Sequence, residues 1–462
     1  MIEKLDRAQF YCFLLLIFWV PIPLGSNRPW AWAIIEIVAF SLLALHMFLA
    51  IKQRKNITKK IREYLPLLIM YVSVLLWLLF QILPLPQSVL AFLSPNLKDV
   101  FSYSPDHLQT LSVDASETYV ELLKSASYFC LMLLCLFLVT SEKRMKTLLV
   151  VMVLSGMFQA VYGTLQAQSG NAVSWVVQAS NSAIATGSFI YKNHFANFLL
   201  LSLSIGIGLL VANLAKHRVE NNKAKLRQAV AALLQGKAVL RIALALMVIG
   251  LVMSKSRMGN AAFFISMTFT GSIAFFYFKN RSKGLTYLLV SLLVIDTFIL
   301  GAWFGIDKVK DRIEQTNLSQ ETRDEVNIEG LALIEKFPVT GSGAGSFYTI
   351  FPSVQSKEIS YFYDHAHNDY LQFTIEYGIP AVVVLAVMVL SSLWHCFYAI
   401  RHRRHTLMKG TAFGCMMAII GMLIHMTVDF NLQAPANAVY FVLILTLGWQ
   451  SRYAFTSKQG NH

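Results

Sequence analysis

Long apolar runs separated by short polar stretches recur from one end of this chain to the other. Each is roughly 17 to 23 residues, enough to cross a hydrocarbon core of about 30 Å as a helix. Twelve such spans are predicted, near 10–25, 31–51, 65–84, 119–140, 146–166, 194–215, 239–254, 259–278, 285–305, 378–400, 410–428 and 437–454. The first lacks a small-residue cleavage pattern and runs into Pro21 and Pro23, so it reads as a retained span, not a signal peptide. Composition agrees with this pattern. Of the 462 residues 56% are apolar and 14% charged, with a mean hydropathy of +0.55, which excludes an ordinary soluble domain. The expected fold class is an all-α polytopic membrane protein forming one integral membrane domain over 1–462.

Charge supplies orientation. The loops at 52–62, 143–146, 216–241, 279–283 and 401–409, with the two termini, hold 27 of the 39 Lys and Arg residues. Basic loops resist translocation, so these face the cytoplasm with both termini, and the alternate loops face outward. The net charge of +14 is then explained by anionic lipid headgroups, and no nucleic-acid partner is expected. Two outward loops are long: 85–118, and 306–377 between the ninth and tenth spans. The first carries an amphipathic stretch around Val113, Tyr119, Leu122 and Leu123, expected along the membrane interface or packed on the bundle. In the second, Thr322 to Glu325 fits a capping box, and Leu331, Ile334 and Phe337 recur at helical spacing. The glycines at 341, 343 and 345 then permit tight turns or a phosphate cradle, the turn being favoured. All five cysteines lie inside predicted spans, so no disulfide framework is implied.

Basic residues on the outer side run against the orientation bias. Lys192 opens the sixth span, while Lys255 and Arg257 occupy the tight connection between the seventh and eighth. Converging in space, they would form an anion pocket, with helix N-termini adding positive potential. The alternative is that they reach to lipid headgroups. A polar cluster, Asp364-His-Ala-His-Asn-Asp369, opens the tenth span. His365 and His367 with Asp364 and Asp369 make a poor metal set, and no metal or cofactor is expected. His367 suits general-base or acceptor-orienting work, with Asn368 a natural helix cap behind it. His425 and Asp429 are spaced i and i+4, hence on one helix face, either as a polar pair within the bundle or as part of the site.

These pieces together resemble the O-antigen ligase and polymerase superfamily, the Wzy-like and WaaL-like membrane glycosyltransferases with a Wzy_C domain. The matching segments are Lys192-Asn-His-Phe-Ala-Asn197, Ser254-Lys-Ser-Arg257, Arg323, Phe337-Pro-Val-Thr-Gly341 with Gly343 and Gly345, and His365-Ala-His-Asn-Asp-Tyr-Leu-Gln372 with Glu376 and Gly378. His425 to Asn437 adds a last piece, and the core of the likeness runs over 190–435. Relatives often carry Arg where this chain has Lys192. The resemblance implies a GT-C-like bundle that transfers a glycan, with inversion and without metal, from an undecaprenyl-diphosphate carrier to an acceptor sugar at the periplasmic face of the bacterial inner membrane. His367 and Arg257 would be catalytic. Arg323, Lys192, Lys255, His365, Asn368 and His194 would bind substrate. Polymerisation onto another carrier-linked repeat is favoured, with a possible chain-length regulator as partner; ligation to lipid A-core and protein O-glycosylation are the alternatives. A transporter is disfavoured, because the only midplane charges are Glu36 and Asp296 and the polar groups gather at the outer surface.

Overall fold

A computed structural model describes residues 2–53, 61–97, 109–170, 184–214, 236–277, 323–357, 359 and 362–455. Among these there is no strand, only an isolated antiparallel bridge between Leu85 and Gln109. The helices are α1 (Ile2–Trp19), α2 (Pro29–Lys52), α3 (Leu65–Gln81), α4 (Gln87–Leu93), α5 (Ala115–Leu138), α6 (Glu142–Gln168), α7 (Lys192–Leu214), α8 (Gly236–Met253), α9 (Arg257–Tyr277), α10 (Arg323–Lys336), α11 (Phe347–Ile350), α12 (Asp369–His402), α13 (Thr406–His425) and α14 (Pro435–Tyr453).

Eight helices among the described residues are long and apolar enough to cross a membrane: α2, α3, α5, α6, α7, α9, α12 and α13. Three more stand where the first, seventh and twelfth spans are expected. Of these, α1 begins with Glu3, Lys4, Asp6 and Arg7, α8 is short, and α14 is buried almost throughout. The ninth predicted span lies outside the described residues, as do Asp296 and 306–322 of the long loop.

The centre of the bundle is α7, whose apolar window is buried on every side, packed along α13. Small residues permit that approach. A Cβ on Gly208 would lie 2.4 Å from the Gly410 carbonyl oxygen, one on Gly410 equally close to the Gly208 oxygen, and one on Gly414 2.7 Å from the Ser204 oxygen. Lipid tails offer no hydrophobic drive for helices to associate, so close van der Waals contact along such a seam supplies it. Outside this centre, α2, α3 and α12 turn large apolar side chains outward, among them Ile37, Phe48, Leu76, Leu390 and Trp394, as a lipid-facing surface requires.

Charge is sorted between the two ends. At one end Arg144 pairs with Asp6, His405 with Glu142, and the Arg403 guanidinium donates to the carbonyls of Arg452 and Ala454. At the other end lie the starts of α7, α9, α12 and α14 and the cap formed by 82–97, 109–114, 323–357, 359 and 362–368.

The cap is tied to the bundle by a kink in α12. Gly378 sits at φ 78° and Pro380 interrupts the helix, which frees backbone carbonyls at membrane depth. All are taken up. The Ile375 oxygen accepts from Ser342 N at 2.8 Å, the Glu376 oxygen from Gly343 N at 3.0 Å and Gln81 Nε2 at 3.0 Å, and the Tyr377 oxygen from Trp77 Nε1 at 2.8 Å. Such satisfaction is obligatory where water is scarce. It also decides the glycine loop. Its N–H groups are spent inside the protein, Gly341 on Phe337, Ala344 on Gln81, Ser346 on Gly343 and Phe347 on Glu376, so the turn reading holds and no phosphate cradle is left.

Of the two readings of the stretch after Val113, the helix packed on the bundle holds: Asp114 caps Glu117 N at 3.1 Å and α5 runs unbroken into its span, with Lys124 paired to Glu121 and placed over the Trp32 ring. In α10 the buried face is Val326, Leu333 and Phe337, while Leu331 is exposed, because Gly330 brings the helix against Leu371 and Ile375. A Gly410→Ala substitution drives a methyl into the α7 backbone. It should cost about 1–3 kcal/mol, measured as a lowered midpoint of thermal unfolding in detergent.

Candidate functional site

Four helix ends and one turn build the site. Residues before α12 bring His365 and His367 up, the start of α7 brings Tyr191, Lys192 and His194, and the turn after α13 brings Asp429 and Phe430. Phe430 is the hub. Its ring meets His194 at 4.7 Å and His367 at 4.7 Å edge-on, stacks on His365 at 4.4 Å and lies parallel to Tyr191 at 5.5 Å.

His367 is held by its backbone in the left-handed region, at φ 51°, a conformation that costs a non-glycine residue roughly 1–3 kcal/mol and clusters at functional sites. The next residue explains how it persists. Asn368 caps α12, its Oδ1 accepting from Tyr370 N at 3.1 Å and Leu371 N at 3.2 Å, so helix formation fixes the strained residue in front of it. Asp429 Oδ1 lies 3.9 Å from His367 Nδ1 while also accepting from Phe430 N at 3.0 Å. The arrangement is that of an imidazole with a carboxylate behind it, able to accept a proton at its far nitrogen and stabilise the resulting charge. Asp429 is therefore not on one helix face with His425: α13 ends at His425, and a turn swings the carboxylate toward His367.

His194 is buried, its Nε2 3.2 Å from the Phe430 carbonyl and its own carbonyl accepting from Asn437 Nδ2 at 3.2 Å. In that setting it supports Phe430. His365 is half-buried. Desolvation lowers its pKa from the usual value, against the opposing pull of Asp364. Its Nδ1 lies 3.1 Å from Gln372 Nε2, and that amide reaches Glu376 Oε1 at 3.0 Å.

The predicted cations are placed by helix starts. Lys192 begins α7 next to Tyr191, whose ring lies 6.4 Å from that of His367. Arg257 is the first residue of α9 and is exposed; Lys255, also exposed, sits at φ 51° in the turn before it. Ser256 Oγ accepts from Gly259 N at 3.2 Å, and a Cβ on Gly259 would lie 2.7 Å from the Ala196 Cβ and 3.3 Å from His425 Cε1. The first turn of α9 is thus packed against the first turns of α7 and the end of α13, placing three predicted cations at one end of the bundle. Arg323 begins α10, and its side chain lies outside the described residues.

Sequence reasoning passed over Phe430 as an organising ring, and over Gln372 and Glu376 as a hydrogen-bonded pair. The signal for the pair was two polar residues spaced i and i+4 at the head of a membrane helix, within the segment that carries the resemblance.

Fold and site together define a polytopic helical membrane protein with an imidazole–carboxylate pair at the end of the bundle where Lys192 and Arg257 begin helices. A family model described as O-antigen ligase (Wzy_C) matches residues 242–386, which supports the O-antigen ligase/polymerase superfamily. The matched stretch contains Lys255, Arg257, Arg323, His365, His367 and Asn368, while the α7 and Asp429–Phe430 contributions come from outside it. Members of this family are membrane glycosyltransferase-like ligases and polymerases, which implies lipid-linked glycan substrates. No curated protein matches the chain.

Removing the cap in Asn368→Ala should destabilise the protein by about 1 kcal/mol, and Asn368→Asp, which also caps, by much less. Thermal unfolding of the two variants side by side checks this.

Proposed function

We propose that this protein transfers a glycan from an undecaprenyl-diphosphate carrier to an acceptor hydroxyl at the periplasmic face of the bacterial inner membrane. The observation that carries the reading is the strained His367 backed by Asp429, at the bundle end where α7 and α9 begin with Lys192 and Arg257. The acceptor hydroxyl attacks the anomeric carbon and passes its proton to His367. The bond from that carbon to the diphosphate oxygen breaks on the opposite face, so configuration inverts. Asp429 stabilises the imidazolium. Charge developing on the leaving diphosphate is met by Arg257 and Arg323 with Lys192 or Lys255, beside helix N-termini in a water-poor setting.

On this reading the chain has twelve spans in a GT-C-like bundle, both termini are cytoplasmic, and the basic end faces inward as anionic lipid and the orientation bias favour. The lipid tail enters laterally, since removing an undecaprenyl chain from the bilayer costs about 0.8 kcal/mol per CH₂. The acceptor is another carrier-linked repeat unit, as in a polymerase. That choice rests on the likeness of the segments around Asn193 and Asp429 to polymerase sequences. Deleting the gene separates this from ligation: loss of polymerase leaves single repeats on the surface, and loss of ligase strands full-length polymer on its carrier.

Purified variants test the chemistry. His367→Ala should lower transfer by about 10²–10⁴, and Arg257→Lys, which keeps charge but loses the planar fork, by about tenfold or more. Both should remain folded in the membrane. Wild-type product from both variants rejects the assignment.

A further inference from the structure

The pair formed by Gln372 and Glu376 has no part in the scheme above, yet its atoms leave His365 little choice. Gln372 Oε1 accepts from Ala366 N at 3.2 Å, and a backbone N–H can only donate, so the orientation of the amide is fixed. Its nitrogen then faces Glu376 Oε1 at 3.0 Å and His365 Nδ1 at 3.1 Å. Glu376 Oε1 also accepts from Phe347 N at 3.3 Å, which holds the carboxylate in place from the cap side. Both Gln372 and Glu376 are buried, so water does not compete for these groups. One amide hydrogen goes to Glu376 and the other to His365, which must therefore offer a lone pair at Nδ1. An imidazole with a lone pair at Nδ1 is neutral and carries its proton on Nε2.

We propose that Glu376 and Gln372 are positioning residues that lock His365 as the Nε2–H tautomer, making it a neutral hydrogen-bond donor to a substrate oxygen. The proposal rests on the reading of the site given above and divides the two histidines of the motif by role. His367, backed by a carboxylate, accepts a proton, whereas His365, backed by an amide N–H, keeps one. The low polarity around His365 acts in the same direction, because burial disfavours its cationic form. Phe430 touches both rings, stacked on His365 and edge-on to His367, so donor and acceptor meet at one aromatic side chain.

Nitrogen NMR of the full chain, labelled at histidine and reconstituted in lipid nanodiscs, reads the tautomer directly. The resonance is identified by its loss in His365→Gln. At neutral pH wild-type His365 should show a bare Nδ1 and a protonated Nε2. Gln372→Glu places a carboxylate opposite Nδ1 and should draw a proton onto it. Gln372→Met, similar in size but without a donor, should release the ring to a mixture of tautomers. In transfer assays His365→Gln, whose amide nitrogen falls near the Nε2 position, should retain at least about tenfold more activity than His365→Asn, since losing a positioned donor costs roughly 10²-fold. A wild-type ring protonated on Nδ1, an unchanged tautomer in both Gln372 variants, or equal activity of the two His365 variants overturns the proposal. The spectrum needs no substrate. Expected tautomers without glycan transfer sink the proposed function and leave the lock intact; transfer with the wrong tautomer does the reverse.

Discussion

The close approach of α7 to α13 is the contact on which the remainder of this structure depends. Where Gly208 and Gly410 meet, each backbone lies against the other with no room for a methyl group. In lipid that contact is itself the driving force for association, because side chains on the two helices gain nothing by leaving tails as apolar as themselves. Its consequence is felt at the helix ends beside the cap. The same pair of helices carries Tyr191 and His194 on one side and the Asp429–Phe430 turn on the other, so the seam sets the spacing at which these groups meet.

A second constraint comes from backbone polar groups. The kink at Gly378 and Pro380 leaves carbonyls bare where water cannot serve them, and the glycine loop, Gln81 and Trp77 satisfy them. This ties the cap to the bundle a few residues beyond the histidine motif. Strain is then sustainable: His367 and Lys255 both hold left-handed backbones because rigid helices begin two residues beyond each.

Electrostatics follows from the same framework. Arg403 and Arg144 are engaged by carbonyls and a carboxylate at one end of the bundle, whereas Lys192 and Arg257 sit at helix N-termini at the other. Positive side chains and positive helix ends there reinforce one another, which is costly unless an anion is bound nearby.

Much of this was legible in the order of residues. Membrane class, most span positions, the sorting of charge and the Asn368 cap follow from apolar run length, loop basicity and local capping chemistry, all of which act over a few residues. Tertiary structure alone decided the rest. Asp429 turns away from the helix face it shares with His425 in the sequence pattern, to stand behind His367 from sixty residues away, and Phe430 becomes the surface on which three histidines rest. The glycines of the cap, suited by their chemistry to phosphate, are claimed by carbonyls of a kinked helix. Such outcomes depend on which distant backbone arrives first to satisfy a polar group or fill a gap, and local patterns carry no record of that.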